Sequence, residues 1–383
     1  MRLYPNQIQI INQVLDKVIK NGKVLDQEIY SAFQNNKKWG SRDRKNFSKA
    51  CYDIIRHYEF LKEISHESSI IDTYTNILLE GKTIEEVRDR HKFSADILYS
   101  IPSDLYAIYK AENPSADQNL KAMNQSGNIY LRINTSLMSF DEFCAELKRE
   151  GIEFEPISSI TIDNHTYPMN AVKLNARTQT HQAFFDRMKP SFEIQDLGSQ
   201  LLTEFIGIEN IGTIIESCAG QGGKTAHIVD KTRKSLHIAF DNDRKKLLHL
   251  VERIKKWKDH KVVNEYANEK TIAKYHDLAD TLIMDVPCTG SGTLKRQADL
   301  KYRINHIILD EKTSTQRMIF HNFHPTLKSG GTLIYSTCSL FQSENEKQID
   351  YIISQGYELI SSLNIEPCKY DGDGFYVAKL RKK

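Results

Sequence analysis

Apolar residues in the first part of the chain recur every three or four positions, which places them on one face of a helix. The positions that define this pattern are Ile8, Ile11, Leu15, Val18, Ile19, Ala50, Ile54, Ile55 and Phe60. Gly81 and the Ile101-Pro102 pair interrupt the pattern, because glycine and proline favour turns over helix interiors. The spacing predicts an N-terminal helical domain over residues 1–125.

A different pattern begins at residue 129. Residues 129–133 are strand-like, residues 140–149 have the spacing of an amphipathic helix that ends at Gly151, and residues 152–157 are strand-like again. We predict a small α+β domain over residues 126–178, built around a βαβ-like unit.

Strands and helices alternate over residues 179–383. The predicted strands are 212–217, 236–240, 262–263, 281–286, 331–337 and 375–380. Between them lie helical stretches, and in residues 243–257 the apolar positions Leu247, Leu250 and Ile254 recur at helical spacing. This alternation predicts an α/β fold with a doubly wound, mostly parallel sheet.

The composition excludes several classes of protein. Of 383 residues, 40% are hydrophobic and 27% are charged, which is typical of a globular protein and not of a disordered or fibrous chain. No apolar run approaches the ~20 residues that span a bilayer, and the first residues lack the pattern of a secretory signal. The six cysteines are scattered without a C-x-x-C pair, which argues against a disulfide scaffold and a zinc site. We expect a cytoplasmic monomer that binds neither a membrane nor a metal.

The net charge of +2 says little about nucleic acid, but basic residues cluster in two stretches. The first stretch holds Lys37, Lys38, Arg42, Arg44, Lys45 and Lys49, and the second holds Lys245, Lys246, Arg253, Lys255, Lys256, Lys258 and Lys261. Such clusters are either solvated helix faces or phosphate-binding surfaces, and the charge pattern alone leaves both interpretations open.

A glycine-rich loop follows the first predicted strand of the sheet. It consists of Cys218, Ala219, Gly220, Gln221, Gly222, Gly223 and Lys224. Strand, glycine-rich turn and helix form the usual nucleotide-binding arrangement. A phosphate-cradling loop of the ATPase type would need glycine five positions before Gly223, where Cys218 stands. About 20 residues after the loop the next strand ends at Asp241, where an acid can bind ribose hydroxyls, while Asp243 better fits a helix cap.

Two cysteines lie at the ends of two predicted buried strands. Asp285 and Cys288 follow one strand, and Cys338 follows another. Side chains at the carboxyl ends of neighbouring parallel strands meet at one edge of the sheet. A thiolate can add to carbon 6 of a cytosine and place electron density on carbon 5, which then attacks a methyl donor. The alternative is that both cysteines are small buried residues at strand ends.

Beyond this chemistry, the chain resembles the Sun/Fmu-type (RsmB/Nop/Sun) RNA (cytosine-5)-methyltransferases. The segments that carry the resemblance are 195–200, 218–225, 285–296, 337–339 with 344–346, and 373–378. Residues 130–135 resemble the small domain that precedes the catalytic domain in this family. The loop departs from the family pattern, since Gly220 and Gln221 replace the usual alanine and proline.

The resemblance implies a class I (Rossmann-like) methyltransferase domain over residues 179–383 with a mostly parallel seven-stranded sheet, and S-adenosylmethionine as the cofactor. It implies that Cys338 is the nucleophile and that Cys288 helps to release the product. The implied cofactor contacts are Cys218, Ala219, Gly220, Gln221, Gly222, Gly223, Lys224, Asp241, Asn268 and Asp285, with Asp285 also catalytic.

The helical region faintly resembles the NusB-like RNA-binding domain of the bacterial 16S rRNA enzyme of this family. We therefore expect 16S rRNA or a small-subunit precursor as the partner. Tyr302 or Phe341 could stack on an unstacked base, and Lys295 and Arg296 could contact phosphates. The alternatives are a catalytically silent RNA-binding assembly factor and a methyltransferase acting on tRNA, DNA or protein.

Overall fold

The computed structural model describes residues 3–66, 68–174, 181–207, 212–232 and 235–383. They form two compact units: a helical unit of Met1–Ser126 with Thr293–Leu309, and a catalytic unit of Gly127–Gly292 with Asp310–Lys383. We call Thr293–Leu309 the returning segment, because the chain returns there to the unit in which it began. The predicted domain boundaries at residues 125 and 178 stay a prediction, and the two units divide the chain differently.

Helices build the helical unit, as the apolar spacing predicts. Their bounds are α1 Pro5–Asn21, α2 Leu25–Asn35, α3 Ser41–Arg56, α4 Tyr58–Ser65, α5 Ile70–Leu79, α6 Ile84–Arg88, α7 Ala95–Leu98, α8 Ser103–Glu112 and α9 Ala116–Met123. Ile11, Ile54 and Ile55 are fully buried in one apolar cluster, to which the returning segment contributes Ala298. Burial of these apolar faces, and not helix propensity alone, stabilises such short helices.

Two buried cations hold the returning segment within the helical unit. Arg56 donates from Nη1 to the main-chain carbonyl of Leu294 (3.3 Å) and from Nη2 to that of Lys295 (2.8 Å). Lys301 donates from Nζ to the carbonyls of Arg56 (3.0 Å) and Ser100 (2.5 Å). The returning segment is thus fixed through main-chain acceptors, which any amino-acid sequence would offer.

The catalytic unit begins with a small four-stranded sheet among its described residues. Its elements are β1 Ile129–Ile133, α10 Phe140–Arg149, β2 Phe154–Ile162, β3 His165–Leu174, α11 Gln182–Met188 and β4 Phe192–Ile194. The strand order is β2-β3-β1-β4, with antiparallel pairing throughout. The bounds of β1 and α10 match the prediction, whereas β3 and β4 were not predicted. The βαβ-like unit is a split one, because β3 lies between β1 and β2.

Both faces of strand β1 in the small sheet are covered. On one face Leu131 and Ile133 of β1 pack with Phe143 of α10 and Phe192. The other face, which includes Tyr130, packs with helix α12 (Leu197–Ile206) of the same unit. Successive strand residues point to opposite faces, so β1 is buried on both sides.

The main sheet of the catalytic unit has seven strands in the order β10-β11-β9-β8-β5-β6-β7. Its strands are β5 Ile214–Glu216, β6 Leu236–Asp241, β7 Lys261–Tyr266, β8 Ala279–Asp285, β9 Leu327–Thr337, β10 Tyr357–Ile365 and β11 Phe375–Lys382. The other helices of the described chain are α13 Gly223–Thr232, α14 Arg244–Ile254, α15 Glu269–Ile272, α16 His306–Phe323 and α17 Glu346–Ser354. Strands β5 to β9 are parallel, while β11 runs antiparallel to β9 and β10. The predicted α/β fold class with a mostly parallel seven-stranded sheet is confirmed.

The strand order brings the candidate residues to one edge of this sheet. Strands β8 and β9 are parallel neighbours, in register with Asp285 opposite Ser336. Both strands therefore end side by side, and the residues that follow them share one site. Across the described residues, no helix is long and apolar enough to cross a membrane.

Candidate active site

The two strand-end cysteines meet, as expected from their positions after neighbouring strands. The Sγ atoms of Cys288 and Cys338 are 3.3 Å apart, and both residues are partly exposed. The pKa of Cys288 is raised well above its ordinary value, first by its hydrogen bond with Cys338 and then by burial. Cys288 therefore holds its proton at neutral pH, and its S–H can hydrogen-bond to the neighbouring sulfur.

Close backbone packing fixes the loop that carries the nucleophile candidate. Gly292 donates its N–H to the carbonyl of Cys338 (3.0 Å), and Gly374 donates to the carbonyl of Gly292 (2.8 Å). A Cβ atom on Gly292 would lie 2.7 Å from the Cα of Gly374 and 2.9 Å from the carbonyl oxygen of Cys338. No side chain fits there, so glycine at 292 is a requirement of the site.

Asp285 lies between a cation and a hydroxyl. Its Oδ2 accepts from Nζ of Lys224 (2.6 Å), and its Oδ1 accepts from Oγ of Ser336 (2.9 Å). The amine of Lys224 also lies 5.3 Å from the ring centre of Phe375. Burial alone would lower the pKa of Lys224, but the Asp285 carboxylate outweighs it and the pKa is raised. Lys224 is therefore a fixed positive charge beside Asp285, at the carboxyl ends of β8 and β9.

The glycine-rich loop has the geometry that a nucleotide-like cofactor needs. Gly220 and Gly222 have φ of 57° and 79°, and a Cβ on Gly220 would meet nothing within 4 Å, so the loop presents bare backbone to open space. Helix α13 begins at Gly223, directly after the turn. Asp241, at the end of β6, accepts the Gly220 N–H at 2.8 Å, which holds the acid against the loop. These residues fit S-adenosylmethionine, with Asp241 where ribose hydroxyls would bind.

Other predicted cofactor contacts lie along the same edge. Cys218 follows β5 and its pKa is raised to about 12 by burial, Ala219 is buried, and Gln221 is exposed. Asn268 follows β7, where it caps helix α15. Its Oδ1 accepts from the N–H of Thr271 at 3.0 Å, so the cap occupies that oxygen.

Several of the residues that organise the thiol pocket carried no predicted role. Ser336 binds Asp285, and the buried side chains of Glu344, Asn345 and Gln316 bind the loops around the cysteines. Glu344 and Asn345 lie in one of the segments that resemble the family, and this resemblance is the feature of the sequence that could have identified them. Gln316 lies on α16, with no local feature in the sequence that distinguishes it.

Three of the residues predicted to contact RNA are more buried than expected. Phe341 is fully buried at 0% exposure, so the hypothesis that it stacks on a base is wrong. Lys295 is buried at 7% exposure of the whole residue and Arg296 is exposed, and the phosphate contacts expected of both side chains stay a prediction. Tyr302 is partly buried within the helical unit, where its hydroxyl donates to Oε1 of Glu59 (3.2 Å). Among the described residues, no group of three or more His, Cys, Asp or Glu side chains could hold a metal ion.

The sheet order, the glycine-rich loop after β5 and the acid ending β6 define a class I methyltransferase that uses S-adenosylmethionine. Comparison with known proteins agrees. A family model described as 16S rRNA methyltransferase RsmB/F matches residues 205–381. The ribosomal RNA small subunit methyltransferase B of Proteus mirabilis is 30% identical over 299 residues, which cover 75% of this chain and 67% of that protein. The chain belongs to the RsmB/F family of RNA methyltransferases.

Solved structures support the same fold. The methyltransferase homolog protein from Pyrococcus horikoshii has a TM-score of 0.64 and 19% identity, and the match covers 76% of this chain and 98% of that one. NSun6 from Pyrococcus horikoshii, solved with SFG, has a TM-score of 0.62 and 20% identity over 74% of this chain and 99% of that one. At this level of identity the likeness supports the fold alone.

Proposed function

We propose that the protein transfers a methyl group to carbon 5 of a cytosine in RNA, through a covalent bond between Cys338 and the base. The observation that carries this proposal is the 3.3 Å separation of two thiols beside Asp285, at the edge of the sheet that also bears the cofactor loop. S-adenosylmethionine supplies the methyl group.

The chemistry needs one thiolate and one thiol. The Cys338 thiolate forms a bond to carbon 6, and the carbon 5–carbon 6 double bond opens. Carbon 5 would then form a bond to the methyl group as the methyl–sulfur bond of the donor breaks, so that S-adenosylhomocysteine leaves. Loss of the carbon 5 proton to water then re-forms the double bond, and the sulfur–carbon 6 bond breaks so that Cys338 leaves as a thiolate. Cys288 holds its proton 3.3 Å away, where its S–H can hydrogen-bond to the departing sulfur. Asp285 would bind the edge of the base, oriented by Lys224 and Ser336.

We propose 16S rRNA or a small-subunit precursor as the substrate, because the family description and the Proteus mirabilis relative both name ribosomal RNA of the small subunit. The target base must leave its stack to reach the thiols. A silent assembly factor has no need of paired thiols beside a carboxylate, so we favour an active enzyme over it.

The substrate is tested by incubating the protein with labelled S-adenosylmethionine and, separately, 16S rRNA, small-subunit precursor particles, tRNA and DNA. Nucleoside analysis should find 5-methylcytosine in the ribosomal RNA. Label in tRNA or DNA alone would overturn the substrate proposal, and label in no nucleic acid would overturn the function.

The roles of the thiols are tested by two substitutions. Cys338→Ala should abolish methylation and form no covalent adduct. Cys288→Ala should slow release, so that a protein–RNA adduct survives denaturing electrophoresis. If the two variants exchanged these behaviours, the assigned roles would be wrong.

A further inference from the structure

Two adjacent side chains after β9 connect both cysteine-bearing loops. Glu344 is 0% exposed and Asn345 is 1% exposed. Their hydrogen bonds go to residues beside the cysteines and not to the sulfurs. Burying a carboxylate costs free energy unless hydrogen-bond donors surround it. The donors that bind Glu344 therefore indicate which part of the structure it stabilises.

Glu344 holds the loop of Cys288. Its Oε1 accepts the main-chain N–H of Thr289 at 2.7 Å, and its Oε2 accepts the hydroxyl of the same threonine at 2.5 Å. Thr289 directly follows Cys288 in the chain. Oε1 also accepts from Nε2 of Gln316 (3.1 Å), which in turn donates to the carbonyl of Pro287 (3.2 Å). The carboxylate therefore fixes the chain after Cys288 directly, and through Gln316 the chain before it.

Asn345 holds the loop of Cys338. Its Oδ1 accepts the hydroxyl of Thr337 at 2.6 Å, and its Nδ2 donates to the carbonyl of Ser339 at 2.9 Å. These two residues flank Cys338 on either side. One amide group thus binds the chain before and after the sulfur, which limits how far the sulfur can move.

We propose that Glu344 and Asn345 are positioning residues with separate tasks, Glu344 placing Cys288 for product release and Asn345 placing Cys338 for attack on the base. This inference rests on the proposed function. Its distinctive consequence is that two neighbouring residues, when substituted, stop the reaction at different steps.

The polarity of the partners separates this assignment from simple packing. The contacts described for Glu344 all come from donors, two N–H groups at Oε1 and one hydroxyl at Oε2. An isosteric amide would lose the charge and keep all three contacts only if the Thr289 hydroxyl turned to accept from its NH2 group. The pKa of Glu344 is raised by burial, and its negative charge in turn adds to the raised pKa of Cys288. Glu344 therefore affects both where the Cys288 sulfur lies and how firmly it keeps its proton.

Glu344→Gln tests the first task. Product release should slow by roughly 10- to 100-fold, as expected for a displaced catalytic group, and adduct should accumulate as in Cys288→Ala. Without RNA, the pH at which iodoacetamide alkylates Cys288 at half its limiting rate, followed by peptide mass spectrometry, should fall. Glu358→Gln, on the exposed part of edge strand β10, is the matched control and should change neither value.

Asn345→Asp tests the second task. The aspartate keeps an acceptor for Thr337 but places an oxygen against the carbonyl of Ser339. Adduct formation and kcat should fall by roughly 10- to 100-fold, with KM for RNA unchanged and no accumulated adduct. Lowering the pH should narrow the gap in rate between this variant and the wild-type protein at the same pH, because a protonated aspartate can donate to Ser339. Asn364→Asp on β10 is the matched control.

Thr289→Val removes one hydroxyl bond to Glu344 while it keeps the shape and the main-chain N–H, so it covers the case in which Glu344→Gln does not fold. It should slow release in the same direction as Glu344→Gln, by less, whereas the pH of half-limiting Cys288 alkylation should not fall, because the Glu344 charge remains. If the wild-type protein methylates RNA but Thr289→Val and every folded variant at 344 and 345 match their controls, the positioning roles are overturned. If the wild-type protein makes no 5-methylcytosine and Cys288→Ala no adduct, the proposed function fails instead.

Discussion

Each unit contains a buried polar network, and the two networks have different roles. Around the cysteines, Glu344 and Asn345 bind hydroxyls, amides and main-chain groups that lie next to the reactive sulfurs. In the helical unit, Arg56 and Lys301 bind main-chain carbonyls, including two of the returning segment. The first network directs side chains, whereas the second holds a stretch of backbone.

The two networks differ in the free energy needed to bury their polar groups and in the effect that their loss would have. Burying a cation costs free energy. If a buried cation loses its partners, or if the carbonyls lose their cation, buried polar groups are left unsatisfied. The anchors of the returning segment should therefore dominate stability. The network around the thiols should contribute less to stability and more to the rate of reaction.

The largest expected effect is that of Arg56→Leu. It leaves the carbonyls of Met123, Leu294 and Lys295 without this donor, and each carbonyl that stays unsatisfied should lower the free energy of unfolding of the helical unit by about 1–3 kcal/mol. Denaturant unfolding with limited proteolysis of the returning segment would measure it. Arg42→Ala, at an exposed position of α3, is the control, and equal stability of the two variants would contradict the anchoring role.

The next effect is a pH dependence that comes from Lys301. Burial lowers its pKa to about 7, below the ordinary value of 10.5. Below pH 7 both the folded and unfolded states hold the proton, and the full penalty of the buried charge applies. Between pH 7 and 10.5 the unfolded state binds more protons, so the free energy of unfolding should rise with pH by at most about 1.4 kcal/mol per unit.

Lys301→Met isolates this contribution. The difference in unfolding free energy between the wild-type protein and the variant, measured from pH 6 to pH 10, should grow with pH in favour of the wild type. A difference that stays constant over this range would show that Lys301 keeps its charge in the folded protein.

The smallest effects come from a matched pair of hydroxyl deletions. Tyr302→Phe removes one bond to Glu59 in the helical unit, and Ser336→Ala removes one bond to Asp285 in the thiol pocket. Each should cost about 1.5–3 kcal/mol of stability, because both acceptors are carboxylates. Only Ser336→Ala should slow methyl transfer at saturating RNA. Equal loss of rate in both variants would erase the distinction between the networks.

Apolar patterning predicted the elements whose burial follows a simple period. Strands β5, β6, β8 and the second half of β9 are buried on both faces. The predicted bounds of β1 and α10 agree with the observed bounds at both ends. Strand β10 escaped prediction because it is an edge strand with five consecutive exposed positions, which do not alternate. The expected convergence of the thiols required their two strands to be neighbours, which apolar runs do not specify and the observed strand order confirms.

Long-range contacts could not be predicted in the same way. Residues 285–296 read as one segment, yet the chain passes from one unit to the other after Gly292. The bond between Arg56 and Lys295 joins positions 239 residues apart, which no local period reports. The burial of Lys295 and Phe341 has the same origin, because tertiary contacts override the exposure expected for lysine and the base-stacking role that an aromatic residue suggests.

The path of the returning segment has a practical consequence for anyone who truncates the gene. A fragment that stops at residue 126 lacks Ala298, which fills part of the helical core, and lacks the carbonyl acceptors of Arg56. A fragment that starts at residue 127 carries those same residues without the helices that cover them. Cutting at the apparent linker should therefore give two aggregation-prone polypeptides, and co-expression of the complementary pieces is the better route to either half.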